Sequence, residues 1–140
     1  MPTYISSNTN KQVQDSVYSD IDPNMGFNPK TEDLLLIKDT KAVRLSIMNL
    51  LSTSYGERLF QPNIGASLRT LLFEPIDSIT TLEMRDRIIQ TIRNHEPRVG
   101  TLFVDIKSSP VQNSYEISIE FSLRATGQKD KVVTVLERMR

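Results

Sequence analysis

The chain has 140 residues, the size of one ordinary domain, and its 38% hydrophobic and 24% charged residues describe a globular protein with a core of its own. Lys+Arg and Asp+Glu both number 17, so the formal net charge is zero and no bulk field draws the chain to nucleic acid or an anionic membrane. Cysteine is absent, which excludes disulfides, thiolate metal ligands and thiol nucleophiles together.

The N-terminal stretch Met1-Pro2-Thr3-Tyr4-Ile5 lacks the basic-then-apolar order of a secretory signal. The apolar run Leu34–Ile37 falls far short of the ~20 residues of a membrane-spanning helix. The expectation is a cytosolic or assembly-borne protein. Residues 1–33 are rich in Ser, Asn, Asp, Thr and Pro, and bury too little surface to offset their ordering entropy. Yet Val13, Val17, Tyr18, Ile21, Met25 and Phe27 are more apolar than a linker requires. Two readings stand: an arm lying along its own domain or a partner, or a frayed terminus. Residues 34–140 are read as one domain.

Asp39 stands where an N-cap would, and Val43, Ile47, Leu50 and Leu51 follow at helical spacing. This helix is expected to stop near Ser54-Tyr55-Gly56, with Gly56 in the left-handed conformation. An irregular stretch punctuated by Pro62 and Gly65 comes next. Ser67 is then expected to cap a brief helix through Leu68, Leu71, Leu72 and Phe73, closed by Glu74-Pro75. A long helix starts at Ser78 or Thr80 and runs to about His95. Its apolar set is Ile79, Leu82, Met84, Ile88, Ile89 and Ile92, and its charged face carries Glu83, Arg85, Asp86, Arg87, Gln90 and Arg93.

After Pro97 the period changes to two. Leu102, Val104 and Ile106 alternate with Phe103, Asp105 and Lys107, and Tyr115, Ile117, Ile119, Phe121 and Leu123 alternate cleanly with polar neighbours. Ser108 to Ser114 and Thr126 to Asp130 are read as the connections, and Val132 to Leu136 as a third strand. Helices first and strands last make an α+β fold, with N-terminal helices packed on a C-terminal antiparallel meander of three strands or slightly more.

Catalytic sets are sparse. His95 is the only histidine, so neither a multi-histidine metal site nor a histidine relay can form, and no glycine-rich phosphate loop occurs. No cofactor or metal is expected. Glu57, Glu74 and Glu96 sit at element boundaries, where two carboxylates could in principle form a glycosidase pair. No third feature supports that chemistry, so structural or binding roles outweigh it. Glu57-Arg58 follows one helix and Glu96-Pro97-Arg98 another, where helix ends need partners. Arginine can grip a carboxylate with two parallel bonds, and Pro97 fixes a backbone angle between Glu96 and Arg98. Such a corner can be a salt-bridged helix stop, an ionic knob for another subunit, or both.

The order of these pieces resembles the protein W-like baseplate wedge family of contractile phage tails. The resemblance rests on Gly56-Glu57-Arg58, Pro62 with Ile64-Gly65, Leu72-Phe73-Glu74-Pro75 and Glu96-Pro97-Arg98, and spans about residues 33–137. The polar arm and total length look more like the T-even-type subunit than the shorter W-type proteins. The family includes secretion-system baseplate components, and the residues do not choose between the two machines.

What the resemblance implies is a non-enzymatic virion protein of the tail baseplate, assembled in the host cytoplasm. It would attach through Glu96, Pro97 and Arg98 to the helical core bundle of the wedge, beside the tail tube or hub. It would also offer a β-strand edge to the first ring of sheath subunits. The exposed edge of a meander suits that second role, and Val133 and Val135 in the last strand are its candidate contacts. The alternative function is a peptidoglycan-cleaving, lysozyme-like tail enzyme.

Overall fold

The computed structural model describes residues 16–138, so Val13 lies outside the described residues. The described part of the arm is folded onto the chain that follows it. β1 (Ser19–Ile21) pairs antiparallel with β4 (Leu36–Lys38), and between them β2 (Phe27–Asn28) pairs with β3 (Asp33–Leu34). Tyr18 packs against the main core, while Ile21, Met25 and Phe27 stay exposed.

Helix α1 (Thr40–Ser52) buries Ala42, Val43, Ile47, Leu50 and Leu51, the expected face. Its start corrects the sequence reading. Asp39 occupies the cap position but makes no side-chain cap bond, because its backbone (φ 50°, ψ −119°) is not the extended form a cap needs. Its Oδ1 instead accepts from the backbone N–H groups of Val17 (3.0 Å) and Tyr18 (3.2 Å), tying the arm down. The helix also stops at Ser52, before the Ser54–Gly56 turn, where Gly56 takes φ +82°.

The short α2 (Leu68–Leu71) departs from expectation in the same way. Ser67 is left-handed (φ 46°) and its hydroxyl accepts from the Tyr55 N–H at 2.7 Å rather than capping the helix. Helix α3 (Ser78–His95) is capped by Asp77, whose carboxylate accepts from the Thr80 N–H at 2.7 Å. That bond holds the Asp77 carboxyl below its ordinary value. The buried stripe of α3 is Thr80, Met84, Ile88, Thr91 and Ile92. Ile79 and Leu82 project about 150° from the centre of that stripe at 3.6 residues per turn, and both are exposed. Thr80 and Thr91 take core places instead, and Thr91 satisfies its hydroxyl by donating to Arg87 O (2.8 Å) and Gly65 O (3.3 Å).

β5 (Val99–Ser109), β6 (Ser114–Leu123) and β7 (Lys129–Glu137) form an antiparallel meander in that spatial order. The strands reach further into both connections than the sequence suggested. The first turn shrinks to Pro110–Asn113, while the second keeps its length and shifts to Arg124–Gln128, with Asn113 and Gly127 supplying the positive φ values. One sheet face, carrying Val104, Tyr115, Ile117, Ile119, Phe121 and Val132, joins α1, α2 and α3 in a single core. The fold is therefore α+β, as the pattern indicated. Arg44 of α1 donates Nε to Asp130 Oδ2 of β7 (3.0 Å) and so fastens helix to sheet.

Candidate docking cleft

The end of α3 places Glu96 and Arg98 side by side. The Glu96 N–H closes the helix on Ile92 O (2.8 Å), and its side chain turns inward and is only 3% exposed. Arg98, two residues on, donates Nε to Glu96 Oε1 (2.7 Å) and Nη2 to Oε2 (2.9 Å), a two-pronged pair with good geometry. Its remaining arm, Nη1, donates to Asp20 Oδ2 (3.1 Å), and the guanidinium carbon stands 5.8 Å from the centre of the Tyr18 ring. The pairing left open by the sequence is thus made within the chain. The two charges around the exposed Pro97 converge on each other instead of leaving in separate directions.

Burial alone would push the Glu96 carboxyl up. The Arg98 guanidinium, with the Ser46 hydroxyl and the Arg98 backbone N–H, outweighs it and holds the carboxyl below the usual range. Arg98 is correspondingly pushed up by its bonds to Glu96 and Asp20, against its burial. Both groups are charged at neutral pH.

A cleft of about 320 Å³ opens beside this corner. It is lined by Asp20 and Ile21 of β1, by Leu45, Ser46, Asn49 and Leu50 of α1, by Arg58 and Ile64 of the following loop and by His95 of α3. Glu96 and Arg98 lie outside the lining and meet it through Asp20, which Arg98 binds, and His95, the residue before Glu96. The structure therefore links the two charged motifs only indirectly, through a cleft that Arg58 shares with Asp20, the ion-pair partner of Arg98, and with His95. It separates their members by role. Glu57 Oε2 accepts from the Ser54 N–H (2.8 Å) and so is spent on its own turn. Arg58 is exposed and makes no ion pair among the described residues. Val133 and Val135 lie on another surface, the outer face of β7, 52% and 57% exposed.

Asp20 and Tyr18, which complete the surroundings of Arg98, had no signal in the sequence. Seventy-eight positions separate Asp20 from Arg98, and no periodicity spans that gap.

The same geometry bears on the carboxylate triple. Glu96 is locked in an ion pair, ionised and buried, so it has no proton to give as an acid at neutral pH. Glu74 precedes α3 and Glu96 follows it, and an 18-residue helix is about 27 Å long. Glycosidase pairs need about 5–9.5 Å. Glu74 and Glu96 do not share a site.

A family model for the baseplate wedge protein gp25 matches residues 38–128, about two thirds of the chain. The chain belongs to the baseplate wedge protein gp25 family. The baseplate wedge protein gp25 of Enterobacteria phage T4 is 29% identical over 116 residues, which cover 83% of this chain and 86% of that protein. Among solved structures, a candidate tail lysozyme of Geobacter sulfurreducens superposes with a TM-score of 0.66 at 22% identity, covering 77% of this chain and 98% of its own. A chain of the anti-feeding prophage baseplate gives 0.54 at 20% identity, over 88% and 87%. A chain of the post-contraction R2 pyocin baseplate gives 0.51 at 17% identity, over 81% and 98%. At such identities these likenesses speak for the fold. The family resemblance drawn from Gly56-Glu57-Arg58 and Glu96-Pro97-Arg98 is borne out, and in this gp25-family chain Arg58 of the first motif lines one cleft with Asp20, the partner of Arg98 in the second.

Proposed function

We propose that this chain is a structural wedge subunit of a contractile-tail baseplate, docked to the helical core bundle of its wedge through the cleft that Arg58 shares with Asp20 and His95, beside the Glu96–Arg98 corner. Membership of the gp25 family supports the coarse role. The observation that carries the finer one is the arrangement of Arg98. Each nitrogen of its guanidinium is held by Glu96 or Asp20, which stiffens the side of the cleft that carries Asp20, while Arg58 in the same lining makes no ion pair among the described residues and is left for a partner. Glu96, Pro97 and Arg98 shape the site, Glu57 fixes the turn that presents Arg58, and the bound partner is another wedge protein, close to the tail tube or hub.

The second role is to start the sheath. β7 pairs only with β6 among the described residues, so its other edge is a template for an added strand, with Val133 and Val135 flanking it. The decisive experiment is assembly of the tail's wedge subunits by co-expression with wild-type chain and with a β7 variant, Val135→Pro. Wild type enters wedges and supports sheath growth; the variant enters wedges and leaves the sheath unstarted. Wedges and sheath that form equally well without the chain would refute the proposal, and cell-wall cleavage by the purified chain would favour the lysozyme-like alternative.

A further inference from the structure

Between Gly56 and Gly65 the chain makes a closed loop. Its neck is tied by the Gly56 N–H donating to Pro62 O (2.8 Å), and internal bonds run from Gln61 N to Arg58 O (3.3 Å) and from Ile64 N to Gln61 O (3.2 Å). At its tip Leu59 is 85% and Phe60 100% exposed. Phe60 also holds φ 69°, a left-handed backbone that costs a bulky side chain energy and serves no internal packing. A hydrogen-bonded loop that presents its two largest apolar side chains entirely to water has the form of an anchor.

We propose that Leu59 and Phe60 are the apolar anchor of wedge docking, and that they enter a pocket on the partner edged by a carboxylate. The charge at the tip selects that chemistry. Glu57 turns its carboxylate back to the Ser54 N–H, so the outward charge beside the anchor is Arg58, unpaired among the described residues. Arg58 and Ile64 of this loop also line the cleft, so the anchor continues the docking surface and does not form a separate patch. A second copy of the chain fits less well. The depression of about 520 Å³ on the outer sheet face, beside Phe103, holds Glu120 and Asp130 as well as Lys129 and Lys131, and both carboxylates are already paired, with Lys131 and Arg44, so it offers Arg58 no free acid.

The inference rests on the docking reading, and one experiment separates the two. The full-length chain is titrated into wedges assembled without it from the tail's other wedge subunits, as wild type and as Phe60→Asn, Arg58→Gln and Arg58→Lys. Asparagine tolerates the left-handed backbone, so the Phe60 change removes the ring without added strain. Phe60→Asn and Arg58→Gln are expected each to weaken incorporation at least about tenfold with unchanged thermal unfolding, as aromatic and arginine hot spots do. Arg58→Lys recovers part of the loss, and only the Arg58→Gln defect shrinks as salt screens the wild-type attraction. Wild type that binds while Phe60→Asn binds equally overturns the anchor alone. Wild type that does not bind overturns the docking reading and the anchor with it. Concentration-dependent self-association of wild type, lost in Phe60→Asn, would overturn the partner assignment.

Discussion

Arg98 holds the buried carboxylate of Glu96 with two parallel hydrogen bonds of 2.7 and 2.9 Å, from a distance of only two residues. The pair closes helix α3, starts β5 and, through Asp20, binds the arm that precedes both. Removing one partner of such a pair leaves a buried charge alone. Arg98→Ala is therefore expected to lower unfolding stability by about 3–5 kcal/mol in a denaturant titration. Arg98→Lys recovers only part, since an ammonium cannot make the two-pronged contact. Asp20→Asn, at the half-exposed end of the same cluster, costs at most about 1 kcal/mol.

The depressed Glu96 carboxyl makes stability depend on pH in a definite direction. Its folded value lies below the unfolded one, so its contribution is complete above the ordinary carboxylate range and is lost as pH falls through the folded value. Denaturant unfolding from pH 7 down to pH 3 should show a loss that Glu96→Gln, already weaker at neutral pH, does not share. Parallel curves for the two proteins would mean that Glu96 is not the linked group.

Gly65 is the hinge on which the loop meets the core. Its φ of +135° is foreign to other residues, and a Cβ there would sit 2.5 Å from Thr53 O. Its carbonyl also receives the Thr91 hydroxyl. Gly65→Ala should cost roughly 2–4 kcal/mol by chemical denaturation. Gly56→Ala, where a Cβ meets nothing within 4 Å, should cost less, only the penalty of its left-handed backbone.

Much of this architecture was legible in the sequence because it depends on local period. The alternation of Tyr115 to Leu123 gave β6 its buried face, and the meander followed from the turns on either side. The extent of α3 was equally plain, but its buried face was misread at Ile79 and Leu82. Apolar type suggested burial there, whereas Thr80 and Thr91, the latter with its hydroxyl bonded to backbone carbonyls, fit the stripe. The missed caps share one cause. Asp39 and Ser67 have positive φ, which nothing in their residue type announces, and both side chains were free to bind elsewhere. At the site, Glu96, Arg98 and Arg58 were visible as motifs. The Asp20 partner of Arg98, the cleft that Arg58 shares with Asp20 and His95, and the exposure of Phe60 depend on how distant segments meet.

The docking surface is tested most directly at its apolar tip, by placing a photo-crosslinking residue at position 60 in the full-length chain and irradiating assembled tails. The account predicts one dominant adduct, to another wedge subunit, with the same residue at position 111, exposed in the β5–β6 turn, giving a different pattern. Assembled tails in which position 60 yields no adduct, or the same adducts as position 111, would contradict it.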